Sequence, residues 1–129
     1  MLIAVVDDHK ATRVEMCRLL DRQGYATCHF SSVAEFIRSN EISKIDCLLS
    51  DVRMPEIDGI SLQACLKNTN LQFPVIFCTG GEIDERLKGA LANGVFALLR
   101  KPVSSDRLLE TIEAACASSR PASDPRPSR

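Results

Sequence analysis

Five short apolar runs, each followed by an amphipathic segment, recur along this chain and constrain its fold more than any other feature. The runs lie at residues 2–6 (LIAVV), 25–30 (YATCHF), 45–50 (IDCLLS), 73–81 (FPVIFCTGG) and 95–100 (VFALLR). Their length suits strands, and apolar residues nearly fill most of them instead of alternating with polar ones. Such strands are typical of a parallel sheet that is covered by helices on both faces.

Helical spacing follows each run. Residues 10–23 bring Val14, Cys17 and Leu20 to one face, and Gly24 is predicted to end this first helix. Ser32 and Glu35 have the S-x-x-E spacing of a capping box at the start of the second helix. The inner faces of the next two helices are predicted from Ile60, Leu62, Ala64, Cys65 and Leu66, and from Ile83, Leu87, Ala90 and Leu91. Residues 104–117 complete a doubly wound α/β fold with a five-stranded parallel sheet and helices on both faces.

One domain, residues 1–117, accounts for this pattern. Residues 118–129 contain three prolines and no large apolar side chain, so we expect a flexible tail or a truncated linker there. The apolar runs are far shorter than the roughly 20 residues of a membrane-spanning helix. The N-terminus lacks the pattern of a secretory signal, so a cytoplasmic protein without membrane association is expected.

Charge and cysteine content exclude some function classes. Because 16 Lys+Arg stand against 17 Asp+Glu, the formal net charge of −1 gives no argument for nucleic-acid binding. The six cysteines are scattered without a C-x-x-C pair, and they are predicted to be reduced core or near-surface thiols: Cys17, Cys28, Cys47, Cys65, Cys78 and Cys116.

Polar residues stand where the predicted strands end. They are Asp7, Asp8, Asp51, Thr79 and Lys101. In doubly wound sheets such residues meet at one edge, near the switch in strand order. Three carboxylates at one place repel each other unless cations neutralise them, and Mg²⁺ together with Lys101 suits that requirement. A carboxylate oxygen of Asp51 would then be placed to attack phosphorus and form an acyl phosphate, to which Thr79 would donate a hydrogen bond. Pro102 restricts the preceding residue to an extended conformation and allows a cis peptide bond.

These residues resemble the receiver domain of two-component response regulators. The resemblance rests on VVDDH (5–9), SDVRMPEIDG (50–59), CTGG (78–81) and RKP (100–102), in this order and each at a strand end. It implies a flavodoxin-like (βα)5 fold and phosphoryl transfer to Asp51 from the phosphohistidine of a sensor histidine kinase or histidine phosphotransfer protein. It also implies Mg²⁺ held by Asp8, Asp51 and the backbone carbonyl of Arg53, with Asp7 acting through water. Such a domain is no enzyme beyond its own phosphorylation and dephosphorylation, and it signals through a changed partner surface.

The sequence departs from the family at one position. The family usually carries Tyr or Phe three residues before the lysine, where this chain has Leu98. Phe96 is predicted to be a core residue and not a substitute switch. Arg53 is predicted to screen the phosphoryl group from attacking water. The resemblance also implies a homodimer or partner surface on the fourth helix, the fifth strand and the fifth helix.

Other side chains are predicted to have structural roles. Asp58 is expected in the turn before the third helix, where Pro55 and Gly59 would fix the direction of the Asp51 side chain. His9 and His29 lack a matched ligand set, so surface or structural roles are predicted for both. The mixed charges of residues 82–90 are expected on a solvated helix face.

Two other functions use part of the same site. A Mg²⁺-dependent phosphohydrolase would share the metal and the nucleophile, but the acceptor motif is D-V-R and not D-x-D, and the chain has no cap insertion. A binding module that signals without phosphorylation would be consistent with Leu98. The complete set of Asp8, Asp51, Thr79 and Lys101 argues against this module, because a protein without the chemistry has no need of a costly carboxylate cluster.

Overall fold

The computed structural model describes residues 1–40, 44–51, 73–80, 85, 88–89 and 95–118. Five strands and three helices have defined bounds there: β1 (Leu2–Val6), α1 (Lys10–Arg22), β2 (Ala26–Phe30), α2 (Val33–Arg38), β3 (Cys47–Asp51), β4 (Val75–Thr79), β5 (Ala97–Arg100) and the C-terminal helix (Ser105–Ser118). All five predicted strands are therefore present, most of them one or two residues shorter than their apolar runs. The predicted third helix, most of the predicted fourth helix and the predicted tail from residue 119 onward lie outside the described residues.

The five strands form one parallel sheet in the order β2-β1-β3-β4-β5. The chain runs outward from β1 to β2, then crosses back to β3 on the other side of β1. The switch in strand order therefore lies between β1 and β3, and the carboxyl ends of these two strands flank the crevice where such sheets place their functional groups. The predicted doubly wound, flavodoxin-like fold is confirmed.

Two hydrophobic clusters cover the two faces of the sheet. On one face, strand residues pack against Cys17 and Leu20 of α1 and against Leu108, Ile112 and Ala115 of the C-terminal helix. On the other face, strand residues pack against Val33 and Phe36 of α2. Because neighbouring residues of a strand point to opposite faces, a strand between two helical layers must be apolar at nearly every position. Helices on both faces are thus confirmed. The burial of both strand faces explains why the strand sequences are almost continuously apolar.

Local signals determine where the helices begin and end. Ser32 caps α2 by accepting a hydrogen bond from the backbone N–H of Glu35 at 3.1 Å, as predicted. The Glu35 carboxylate accepts instead from the Ser31 hydroxyl at 2.7 Å. Gly24 has a φ of 90° directly after α1, a conformation that only glycine adopts readily, and its N–H donates to the carbonyl of Asp21.

Phe96 is not a core residue, so that prediction was wrong. Its side chain is 37% exposed, and β5 begins one residue later at Ala97. In the described part of the chain, β5 is an edge strand that pairs with β4, so the apolar character of Phe96 does not ensure burial at the start of this strand.

The cysteines of the described residues are reduced thiols, as predicted. Cys17, Cys47, Cys78 and Cys116 are buried, and Cys28 is half-buried. Cys65 lies outside the described residues. Among the helices described here, none has the length and apolar character needed to cross a membrane.

Candidate functional site

The parallel topology brings residues from four strand ends to one edge of the sheet. Asp7 follows β1, Asp51 ends β3, Thr79 ends β4 and Lys101 follows β5. The register pairs Asp51 with Cys78 and Thr79 with Arg100, so neighbouring strands end at similar heights. Residues that are up to 94 positions apart in sequence therefore share one small site.

Three carboxylates meet at this edge. One oxygen from each of Asp7, Asp8 and Asp51 lies within 4.8 Å of the others. Their exposure differs, because Asp7 is 2% exposed, Asp51 is half-buried and Asp8 is exposed. The cluster is thus anchored in the protein by Asp7 and open to solvent at Asp8.

Lys101 supplies the positive charge next to this cluster. Its Nζ atom lies 3.2 Å from Oδ2 of Asp7 and 3.4 Å from Oδ2 of Asp51. Burial by itself would lower the pKa of Lys101, but the nearby charges of Asp51 and Asp7 and their hydrogen bonds outweigh it, so the pKa is raised. The ammonium group therefore stays charged where it bridges the two carboxylates.

Asp7 is held by its backbone as well as by its side chain. Its N–H donates to the carbonyl of Phe30 at 3.1 Å, and its Oδ1 accepts from the N–H of His9 at 2.9 Å. The Arg13 guanidinium donates to the Asp7 carbonyl at 2.8 Å and to Nδ1 of His29 at 3.2 Å. Arg13 could not be identified from the sequence, because a hydrogen bond from a side chain to a backbone carbonyl of another element leaves no motif.

Both histidines have structural contacts, as predicted. His9 is the N-cap of α1, and its Nδ1 accepts from the N–H of Thr12 and lies 2.7 Å from the Thr12 hydroxyl. His29 is exposed on β2 and receives the hydrogen bond from Arg13.

Thr79 and Lys101 are joined through the backbone. Thr79 is 1% exposed, and its carbonyl accepts from the N–H of Lys101 at 2.7 Å. The peptide bond between Lys101 and Pro102 is cis, the form that the sequence allowed. The hydrogen bond between Thr79 and Lys101 holds the end of β4 and the start of the loop after β5 at the same edge as the carboxylates.

The donor set fits a small divalent cation. Three carboxylates with converging oxygens are the hard ligands that Mg²⁺ prefers, and the open side at Asp8 leaves room for water or a phosphate oxygen. Lys101 contributes one positive charge against three negative ones, so a cation would relieve the remaining repulsion. Arg53 and the turn with Pro55, Asp58 and Gly59 lie outside the described residues.

Leu98 is half-buried at the position where the family usually has an aromatic residue. It pairs with Phe77 in the register of β4 and β5 and packs against the cluster on the α2 face of the sheet.

A groove of about 620 Å³ opens beside Lys101 between α1 and the C-terminal helix. Its apolar lining comes from Met16, Leu19, Val103 and Leu108.

Known proteins share both the fold and the sequence pattern. The family described as the response regulator receiver domain matches residues 3–113. A crystal structure of a receiver domain from Clostridium thermocellum superimposes with a TM-score of 0.84 at 28% identity, over 91% of this chain and 94% of that chain. The chain belongs to the receiver domain family of response regulators, the signalling domains of two-component systems.

Curated relatives are longer proteins. The chain is 35% identical to the transcriptional regulatory protein FixJ of Bradyrhizobium diazoefficiens over 93% of its own length and 58% of FixJ. It is 32% identical to the sensor histidine kinase RcsC of Salmonella typhi over 87% of its own length and 12% of that protein. The chain thus spans little more than half of FixJ and a small part of RcsC.

Proposed function

We propose that this receiver domain accepts a phosphoryl group on Asp51, in a Mg²⁺-dependent reaction, from the phosphohistidine of a sensor histidine kinase or a histidine phosphotransfer protein. The observation that carries the proposal is the position of the Asp51 carboxylate, 3.4 Å from the Lys101 ammonium and in one cluster with Asp7 and Asp8. Because the Asp51 carboxylate is half-buried, a phosphodonor can reach it. The neighbouring Lys101 ammonium can neutralise the negative charge of the transferred phosphoryl group.

In the proposed transfer, a carboxylate oxygen of Asp51 attacks phosphorus while the phosphorus–nitrogen bond of the donor breaks. The bonding electron pair returns to the imidazole nitrogen, and Asp51 becomes an acyl phosphate. Lys101 balances negative charge on the phosphoryl oxygens, and the Thr79 hydroxyl donates a hydrogen bond to one of them. The same domain is proposed to catalyse its own dephosphorylation and no further reaction.

Asp8, Asp51 and the backbone carbonyl of Arg53 are the proposed Mg²⁺ ligands, and Asp7 acts through a bound water. When bound, Mg²⁺ supplies the positive charge that neutralises the carboxylates and the incoming phosphoryl oxygens. The exposure of Asp8 supports this assignment, since a ligand on the solvent side keeps room for waters. The side chain of Arg53 is proposed to screen the phosphate from water, so an unchanged dephosphorylation rate in Arg53→Ala would contradict that role.

The groove between α1 and the C-terminal helix is the proposed docking surface for the phosphohistidine partner. It is apolar along Met16, Leu19 and Leu108, and it ends at Lys101 beside the acceptor. A helix carrying the phosphohistidine could bury apolar side chains there and bring phosphorus to Asp51.

Phosphorylation is proposed to alter a second surface, formed by the fourth helix, β5 and the C-terminal helix. The same surface is the proposed dimer face.

Residues 1–117 are proposed to form the complete receiver domain, followed by a tail or linker at 118–129. Two points support this division. The family match ends at residue 113, and the C-terminal helix extends to Ser118, one residue into the proposed tail. The output of the signal is assigned to other segments or partners, because residues 1–117 hold this one domain.

The deciding experiment measures intact mass after incubation with Mg²⁺ and acetyl phosphate. Wild type should gain one phosphoryl group, while Asp51→Asn and wild type with EDTA should gain none. Asp106→Asn removes an exposed carboxylate at the start of the C-terminal helix and serves as the matched control, which should be phosphorylated normally. Absence of phosphorylation in wild type, both with acetyl phosphate and with a phosphorylated kinase, would overturn the proposal.

A further inference from the structure

Arg13 connects three elements beside the acidic site. It lies on α1, donates through Nη1 to the carbonyl of Asp7 at the end of β1, and donates through Nε to Nδ1 of His29 on β2. The two hydrogen bonds are 2.8 Å and 3.2 Å long. The bond to the Asp7 carbonyl is part-buried and so partly protected from competing water, whereas the bond to His29 is exposed.

The Asp7 carbonyl lies beyond the last rung of the sheet. The pairing of β1 with β2 ends at Val6 and Phe30, and Asp7 then donates its N–H to the Phe30 carbonyl. Beyond Asp7, backbone hydrogen bonds between β1 and β2 no longer determine the direction of the chain. A charge-assisted hydrogen bond from Arg13 to the Asp7 carbonyl therefore orients the peptide group that joins Asp7 to Asp8.

The orientation of this peptide group determines where the Asp8 carboxylate points. Asp7 has further anchors on its side chain, from the N–H of His9 and from Lys101, whereas Asp8 is exposed. His29 contributes by accepting from Nε, which keeps the planar guanidinium turned so that Nη1 faces Asp7.

We propose that Arg13 is a positioning residue that orients the Asp7–Asp8 peptide so that both carboxylates converge with Asp51 on one divalent cation. This inference rests on the proposed function, in which Mg²⁺ occupies the acidic site. A second effect of Arg13 has the opposite sign, since its positive charge close to the cluster disfavours a bound cation. The sign of the change on mutation therefore separates positioning from simple electrostatics.

The test is Mg²⁺ binding to the unphosphorylated protein, measured by isothermal titration calorimetry. Arg13→Ala should bind Mg²⁺ about tenfold more weakly, the size of effect typical of residues that orient metal ligands. Arg13→Lys should recover most of the affinity, because its ammonium can still donate to the Asp7 carbonyl. Arg18→Ala removes the same charge from an exposed position of α1 and should leave affinity unchanged.

Two results would overturn the inference. One is Mg²⁺ binding in Arg13→Ala that equals or exceeds that of wild type. The other is equal weakening in Arg13→Ala and Arg13→Lys, which would exclude the hydrogen bond as the cause. Thermal unfolding without Mg²⁺ provides the fold control, because a purely structural role would lower the melting temperature of both variants in parallel with their affinity.

The proposed function is tested separately by phosphorylation of wild type at saturating Mg²⁺. If wild type is not phosphorylated, the proposed function fails, while the Mg²⁺ affinities still decide the role of Arg13. If wild type is phosphorylated and Arg13→Ala binds Mg²⁺ normally, only the positioning role is lost.

Discussion

The Nζ atom of Lys101 lies 3.2 Å from a carboxylate oxygen of Asp7, although 94 positions separate the two residues in sequence. The Asp7 side chain is 3% exposed, so it carries its charge in a place that water scarcely reaches. The pair connects the loop after β5 to the end of β1, on opposite sides of β3 and β4 in the sheet. We therefore expect Lys101 to stabilise the fold independently of any role in phosphoryl transfer.

Replacement of this lysine should destabilise the protein. Lys101→Met removes the cation and leaves the buried Asp7 carboxylate beside two like charges, which should cost about 1–3 kcal/mol of unfolding free energy. Urea denaturation without Mg²⁺ measures this difference. Lys88→Met is the matched control, because the ion pair of Lys88 with Glu85 at 3.6 Å is exposed, and its loss should change stability by less than about 0.5 kcal/mol. Equal effects of the two substitutions would contradict this prediction.

The same lysine predicts how stability depends on alkaline pH. The pKa of Lys101 is raised above its ordinary value of 10.5, so the folded state holds this proton more tightly than the unfolded state. Its contribution is fully present below pH 10.5 and is lost as the pH rises through the folded-state pKa. The stability difference between wild type and Lys101→Met should therefore be constant at neutral pH and should narrow in strongly alkaline urea titrations. A difference that grows with pH would have the wrong sign.

Magnesium should stabilise the folded protein through the acidic cluster. A ligand that binds only the folded state at ten times its dissociation constant adds about 1.4 kcal/mol to the unfolding free energy. Asp8→Asn should abolish most of this gain, because it removes the exposed carboxylate of the three-acid cluster. Thermal unfolding with and without Mg²⁺ measures the effect, and Asp106→Asn should retain the full gain. Undiminished stabilisation of Asp8→Asn would argue against Asp8 as a ligand.

The thiol of Cys78 should be unreactive in the native protein. Cys78 is 1% exposed and next to Asp51 in the sheet register, and burial raises its pKa to about 12. Since the thiolate is the reactive form, iodoacetamide at neutral pH should not modify this residue until the protein unfolds. Peptide mass spectrometry should find earlier modification at Cys28, which is half-buried. Modification of Cys78 at the rate of Cys28 would show that the end of β4 opens in the native state.

Much of the fold followed from local sequence. Strand positions such as Ile3 and Leu48 lie between two helical layers, so the apolar runs and the helical spacing between them predicted a parallel sheet with two covered faces. Gly24 and Ser32 acted as predicted at helix ends, because capping depends on a few neighbouring backbone groups. The same strand pattern placed Asp51, Thr79 and Lys101 at one edge, because parallel strands all end on the same side.

Only the tertiary structure decided the features that depend on distant neighbours. Phe96 is exposed just before β5, the last strand of the described sheet, and strand order cannot be read from the apolar character of one residue. Asp7 is buried, where its carboxylate contacts Lys101 and the N–H of His9, whereas the neighbouring Asp8 is exposed. Local sequence thus determined which elements form and where each ends. Long-range packing determined which side chains those ends bring together, because burial and charge pairing depend on residues far apart in the chain.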